Sequence, residues 1–270
     1  TVKVRLGVLL SALALTAGTA CSGGGSSDST QRPDQAAAAT TDGGGEVGGG
    51  GGPLSAAPRE LTYSAPGGPE LTAVYYPAAK NPAPMVVFFH WVSGDKSDWF
   101  EVAPWLQNRS FDNQFRNPGP DPWWDPSWFP KIDGDVSYGV LIVSLRGCTL
   151  FPDGCVEIDE PGWLADATAA LQFAATLDGV DRSRIAAVGS SIGADAAADA
   201  CAAVNVLRLG SCDGAFSLSP GDYLGLPYPE VIAEMGATPP PVPAWCLAAD
   251  YEFEVCSAAE ASGNLLFRAI

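Results

Sequence analysis

The chain carries one histidine, His90, in 270 residues. That scarcity excludes histidine-rich metal centres and leaves imidazole chemistry a single candidate. Cationic side chains are also few. Against 31 Asp and Glu stand only 14 Lys and Arg, giving a net charge of −17. A surface this acidic repels phosphate backbones and anionic headgroups, so nucleic acid is not expected as a partner, and charge alone does not bind a membrane. No C-x-x-C pair occurs, so no metal site is expected. Neither a phosphate loop nor a dinucleotide fingerprint is present, so no cofactor is expected. The apolar run Leu6–Ala17 falls short of the roughly 18 residues that span a bilayer.

What the N-terminus does contain is ordered. Lys3 and Arg5 precede that apolar run, and Gly18, Thr19 and Ala20 then lead to Cys21. Residues 1–21 resemble a bacterial lipoprotein signal, which implies lipidation of Cys21. Gly18 stands where leucine is usual, so a simple cleaved secretory signal is the alternative. Residues 22–52 are Gly-, Ser-, Thr- and Ala-rich and almost free of large apolar side chains. Such a segment cannot build a core and reads as a disordered tether. The expected address is the bacterial cell envelope, outside the cytoplasm, with a lipid anchor as the only membrane contact. Residues 53–270 remain as one globular domain, long enough for a single core.

Setting Cys21 aside, six cysteines remain: Cys148, Cys155, Cys201, Cys212, Cys246 and Cys256. An even set behind an export signal points to three disulfides. Sequence permits 15 connectivities for six cysteines. Pairing along the chain, Cys148–Cys155, Cys201–Cys212 and Cys246–Cys256, is expected because each closes a short loop. Free buried thiols are the alternative.

Apolar periodicity gives alternating strands and helices. Leu61–Tyr63 and Leu71–Tyr76 read as a hairpin around residues 66–69. Met85–Phe89, Val140–Leu145, Ile185–Val188, Ala215–Leu218, Pro243–Ala249 and Leu265–Ile270 read as further strands, the last one buried. Helices are expected over Ser97–Gln107, Trp163–Leu177 and Ser257–Ala261. Alternation of this kind implies an α/β fold with a mostly parallel sheet. Residues 108–137, rich in Pro, Asp and Trp, read as an irregular insertion.

Gly189-Ser190-Ser191-Ile192-Gly193 follows the strand Ile185–Val188 and precedes the helix-forming run from Ala194. Strand, glycine-flanked turn and helix are the setting of a nucleophile elbow, in which the serine hydroxyl is exposed at a helix N-terminus.

These features resemble the α/β-hydrolase family, most closely its dienelactone-hydrolase-like bacterial esterases. Val86–Gly94 resembles the strand ending in His-Gly-x-x-Gly. Leu145-Arg146-Gly147 resembles the arginine-glycine turn after the next strand, with Ser144 where aspartate is usual. Residues 217–223 resemble a strand-end segment of one subgroup. The resemblance implies an α/β-hydrolase fold with helices on both faces of the sheet. It implies a Ser–acid–His triad in chain order, with Ser191 as nucleophile and Asp250 as acid, Glu252 being the alternative. It implies an oxyanion hole from the N–H groups of Ile192 and Val92, with Trp91 the alternative to Val92. His90 precedes the nucleophile, and in this fold such a histidine organises the oxyanion loop; a rewired base is the other reading. The expectation is that the catalytic histidine follows Ile270 and that the sequence is a C-terminally truncated fragment.

Asp166 and Asp195, on helices, read as solvated. Asp222 reads as a turn former or pocket-lining group. Trp123, Trp124, Trp128 and Phe129 read either as a packed plug or as an aromatic cap over a substrate. The expected function is a monomeric serine hydrolase acting on small-molecule carboxylic esters. A peptidase on the same fold, or a catalytically inactive binding protein of the envelope, is the alternative.

Overall fold

The computed structural model describes residues 54–110, 113–115, 129–132, 134–149, 153–249 and 253–270. Among these, eight strands form one sheet: β1 (Arg59–Ser64), β2 (Glu70–Tyr76), β3 (Ala83–Phe89), β4 (Gly139–Val143), β5 (Val180–Ser190), β6 (Gly214–Leu218), β7 (Ala244–Leu247) and β8 (Phe267–Ala269). Their order across the sheet is β1-β2-β4-β3-β5-β6-β7-β8. β1 and β2 form the expected antiparallel hairpin, β2 pairs antiparallel with β4, and all later pairings are parallel.

Register fixes where chemistry can occur. Phe89 lies beside Val143 on one side and Gly189 on the other, Ser190 beside Leu218, and Leu218 beside Leu247. The carboxyl ends of β3 to β7 therefore finish along one edge. Loops leaving that edge converge, and in open α/β sheets ligands bind there.

The helices are α1 (Val102–Gln107), α2 (Glu160–Ala174), α3 (Ile192–Val206), α4 (Tyr228–Ala237) and α5 (Phe253–Glu260). The helix expected over 97–107 is split into a 3₁₀ turn, Lys96–Trp99, and α1. Pro104 is the reason: lacking an N–H, it fits the first turn of a helix and not the interior. α4 was missing from the sequence reading, although Tyr228, Val231, Ile232 and Met235 are spaced for one face and are all buried.

The sheet divides the core. On one face α2 to α5 cover Tyr75, Val87, Phe89, Leu141, Ala187 and Cys246. On the other, the 3₁₀ turn and α1 bring Trp99, Phe100 and Val102 against Val74, Tyr76, Phe88 and Ile142. Helices thus lie on both faces. α3 is alanine-rich and buried over most of its length, which lets it lie close to the sheet.

β8 pairs in parallel with β7, as expected for the last strand, but it is shorter and less buried. Phe267 is buried, whereas Leu265 is 86% and Ile270 61% exposed. An edge strand of three residues offers few positions to the core. The three expected disulfides are present, with Cα separations of 3.8, 5.2 and 5.7 Å in chain order. The first is closer than the usual spacing because Cys148 and Cys155 also form an antiparallel bridge. The described residues of 108–137 belong to no strand, and to no helix.

Candidate active site

Ser191 sits between β5 and α3 with φ 54° and ψ −119°, a conformation L-residues rarely adopt. Its neighbours hold it there. Its N–H donates to Leu218 O on β6 at 2.9 Å, and its carbonyl accepts from Ala194 N at 2.8 Å. The flanking glycines are required by closeness. A Cβ on Gly189 would strike the Gly193 carbonyl, and a Cβ on Gly193 would strike the carbonyl oxygens of Phe89 and His90. The strand, the turn and the helix therefore meet with no room for a methyl group. Ser191 is half-buried. Ile192 opens α3, so its N–H has no intrahelical acceptor and is free for a developing negative charge.

β3 delivers His90 to the same edge. The ring is fully buried, and both nitrogens are committed. Nε2 accepts from Leu145 N at 3.0 Å, so Nδ1 carries the proton and donates to Trp91 O at 2.8 Å. Burial lowers its pKa. No lone pair is left for Ser191, so His90 ties the β3 and β4 exits together and does not serve as a base. His90 and the sulfurs of Cys148 and Cys155 lie within 4.8 Å of one another. Disulfide sulfurs and an imidazole already bonded at both nitrogens do not make a metal centre.

The two expected oxyanion donors on this loop now differ. The Trp91 backbone hydrogen-bonds to the Asp98 carboxylate. No acceptor among the described residues takes the Val92 N–H. Val92 is itself surface-exposed, and its carbonyl accepts from Cys155 N at 2.8 Å. Asp98 was not singled out by the sequence reading. It is 7% exposed, its Oδ2 has no partner, and its pKa is pushed up to about 7 by burial, with Asp95 adding to the effect and the Trp91 bond opposing it. An acid in the first turn of a helix usually reads as solvated; the loop after β3 folding back over it has no local signature.

Two further expectations are corrected. Asp166 and Asp195 are both fully buried. Asp166 accepts from Arg146 Nε at 3.0 Å and Nη2 at 2.7 Å, and from the Arg146 backbone N at 2.9 Å. That fork fixes the chain after β4 to α2. Asp195 accepts from Gly221 N at 2.8 Å and Tyr223 N at 2.6 Å, fixing the loop after β6 to the elbow helix. Backbone N–H groups and a guanidinium supply what water would have. Asp222, in that loop, is exposed.

Asp250, Glu252, Trp123, Trp124, Trp128 and Cys21 lie outside the described residues. Phe129 packs at a tilt against Trp105 with ring centroids 4.9 Å apart, and Trp105 Nε1 donates to Pro130 O at 2.8 Å. At that end the insertion is packed onto α1.

No family model matches the chain, and no curated protein matches it by sequence. Solved structures do. An esterase from the fungus Rhizomucor miehei aligns with TM-score 0.55 and 16% identity over 81% of this chain and 74% of its own. A dienelactone hydrolase-like promiscuous phosphotriesterase, P91, from metagenomic libraries aligns with TM-score 0.53 and 14% identity over 79% and 80%. The esterase of the hyperthermophilic archaeon Pyrobaculum calidifontis aligns with TM-score 0.51 and 17% identity over 81% and 75%. The chain has the α/β-hydrolase fold.

Proposed function

We propose that the protein is a serine hydrolase cleaving small carboxylic esters through an acyl-enzyme on Ser191. The observation that carries this reading is the strained Ser191 backbone, held over the N-terminus of α3 by a glycine pair that admits no side chain. Positive φ at a non-glycine residue persists only where its surroundings enforce it. A hydroxyl at the start of α3 beside the Ile192 N–H, with the Val92 N–H as the expected second donor, is suited to attack a carbonyl whose oxygen becomes an anion.

Ser191 Oγ adds to the ester carbonyl as a base takes its proton. The alcohol leaves on receiving that proton, and water then releases the acid. His90 is spent elsewhere and is not that base. β8 runs beside β7 toward the carboxyl edge, where Ile270 N donates to Cys246 O at 2.8 Å. On the family resemblance, Asp250 is the acid that would orient a catalytic histidine. Lipidation at Cys21 would hold such an enzyme on the envelope surface; among the described residues no helix is long and apolar enough to cross a membrane.

Treating the full-length protein with a fluorophosphonate probe tests this. Labelling should occur and vanish in Ser191→Ala, with Ser190→Ala far milder. Labelling that survives Ser191→Ala overturns the assignment. No labelling and no ester turnover would favour the second reading, an inactive hydrolase-like envelope protein, which the commitment of His90 supports.

A further inference from the structure

The oxyanion loop is anchored from a direction the elbow does not explain. Trp91 and Val92 share a trans peptide, in which carbonyl and N–H point opposite ways. Trp91 O is held by His90 Nδ1 at 2.8 Å and by Gly94 N at 3.2 Å. Holding that oxygen inward turns the Val92 N–H outward. The next peptide is fixed separately: Val92 O accepts from Cys155 N at 2.8 Å.

Cys155 belongs to a hairpin closed by its disulfide with Cys148, and two backbone bonds reinforce the closure. Thr149 N donates to Gly154 O at 3.0 Å, and Val156 N to Gly147 O at 3.0 Å. Gly154 lies directly against the oxyanion loop. Its φ is +62°, and a Cβ there would sit 2.7 Å from both Ser93 Cα and Val92 O. At its other end the hairpin is rooted on Arg146, which is gripped by Asp166 of α2 and by Asp159, the cap just before that helix.

We infer that the Cys148–Cys155 hairpin is the positioning element of the oxyanion loop, setting the Val92 N–H through the Cys155–Val92 bond and the Gly154–Ser93 contact. This rests on the serine-hydrolase reading given above. The hairpin touches no reacting atom. It decides whether the donor stands where the tetrahedral oxygen forms, and donors of that kind act only when pre-set.

The test uses the full-length protein and p-nitrophenyl acetate. Gly154→Ala keeps the disulfide and pushes on the loop; the pair Cys148→Ala with Cys155→Ala removes the closure. Cys201→Ala with Cys212→Ala is the comparison, because it deletes a buried cross-link of similar span away from the loop. Dithiothreitol treatment of the folded wild type adds an arm that needs no variant to fold: the disulfide is reduced to two thiols and the reagent is oxidised to its cyclic disulfide. The expected result is a fall in kcat of about 10- to 100-fold with little change in KM for both hairpin variants and the reduced protein. Amide exchange should rise at residues 91–95. The comparison pair should lose thermal stability and keep its kcat. Unchanged kcat and unchanged exchange at 91–95 in folded hairpin variants would overturn the inference. If the full-length wild type neither turns over ester nor labels with a fluorophosphonate, the serine-hydrolase reading falls instead, and the exchange at 91–95 still decides whether the hairpin holds the loop.

Discussion

The N–H of Leu145 ends on Nε2 of His90, 3.0 Å away, and that bond fixes the tautomer of the only imidazole in the chain. The ring should be neutral with its proton on Nδ1 in nitrogen-detected NMR, and its shifts should not move between pH 8 and 6. Its folded pKa lies below the usual 6.5 because burial disfavours the cation. The unfolded chain then binds a proton that the folded one refuses, so this group's contribution is present above pH 6.5 and is lost as pH falls below it. His90→Ala strands the Leu145 N–H and leaves Trp91 O only its bond from Gly94 N, and should cost about 2–4 kcal/mol in urea unfolding.

Asp199, one turn beyond Asp195 on α3, has both carboxylate oxygens buried with no partner. It faces Asp195 on its own helix and the Tyr228 hydroxyl from α4. Burial raises both acids, Asp195 to about 7 and Asp199 well above its ordinary value. Raised carboxyl groups keep protons that the unfolded chain has already released. The contribution of Asp195 is full below about pH 4 and is lost as pH rises through 7; that of Asp199 is lost as pH rises through its own raised value. Asp199→Asn carries no charge to desolvate. Its urea midpoint should exceed wild type at pH 8, by roughly 1–3 kcal/mol of stability, with the gap closing toward pH 5. A gap that widens toward pH 5 would mean Asp199 is ionised in the fold.

Gly193→Ala should be among the most damaging single-methyl changes available to this chain. The added carbon meets the carbonyls of Phe89 and His90, both backbone, so relief requires moving β3 or α3. A loss of about 2 kcal/mol or more is expected by thermal unfolding. Gly210→Ala, at a position open to solvent, should be near neutral in the same measurement.

The three disulfides should open in a fixed order. Cys148 and Cys155 are half-buried, whereas Cys201, Cys212, Cys246 and Cys256 are at most 2% exposed. Thiolate attack requires access to sulfur. Alkylation and mass mapping after mild reduction without denaturant should therefore find Cys148 and Cys155 modified first, and the other four only as the protein unfolds.

Much of this architecture was legible because its signals are local. The elbow announces itself through two glycines four residues apart around a serine pair, behind an apolar strand, and the structure shows both glycines to be sterically required. The hairpin around residues 66–69 and the three cysteine pairs likewise follow from short spacings. What was not legible depends on which surfaces meet. Asp166 and Asp195 sit on helices whose sequences do not declare that the acid faces inward; their partners, Arg146 and the backbone at 221–223, come from segments about 20 to 28 residues away. For Asp195 a clue existed. A helix so rich in alanine has no large apolar stripe to choose a buried face, and it is buried all round. Asp98 gave no such clue, since only the return of the loop at Trp91 encloses it. α4 is legible only in the spacing of Tyr228, Val231, Ile232 and Met235, with prolines at both ends masking it.

The sealed His90 ring also makes the protein a quiet background for imidazole-directed reagents. Diethyl pyrocarbonate needs an accessible, unprotonated ring nitrogen, and His90 offers none while the fold is intact. Carbethoxylation of His90 should therefore proceed only as fast as the fold opens around it, which makes the reagent a chemical clock for exposure of the loop after β3.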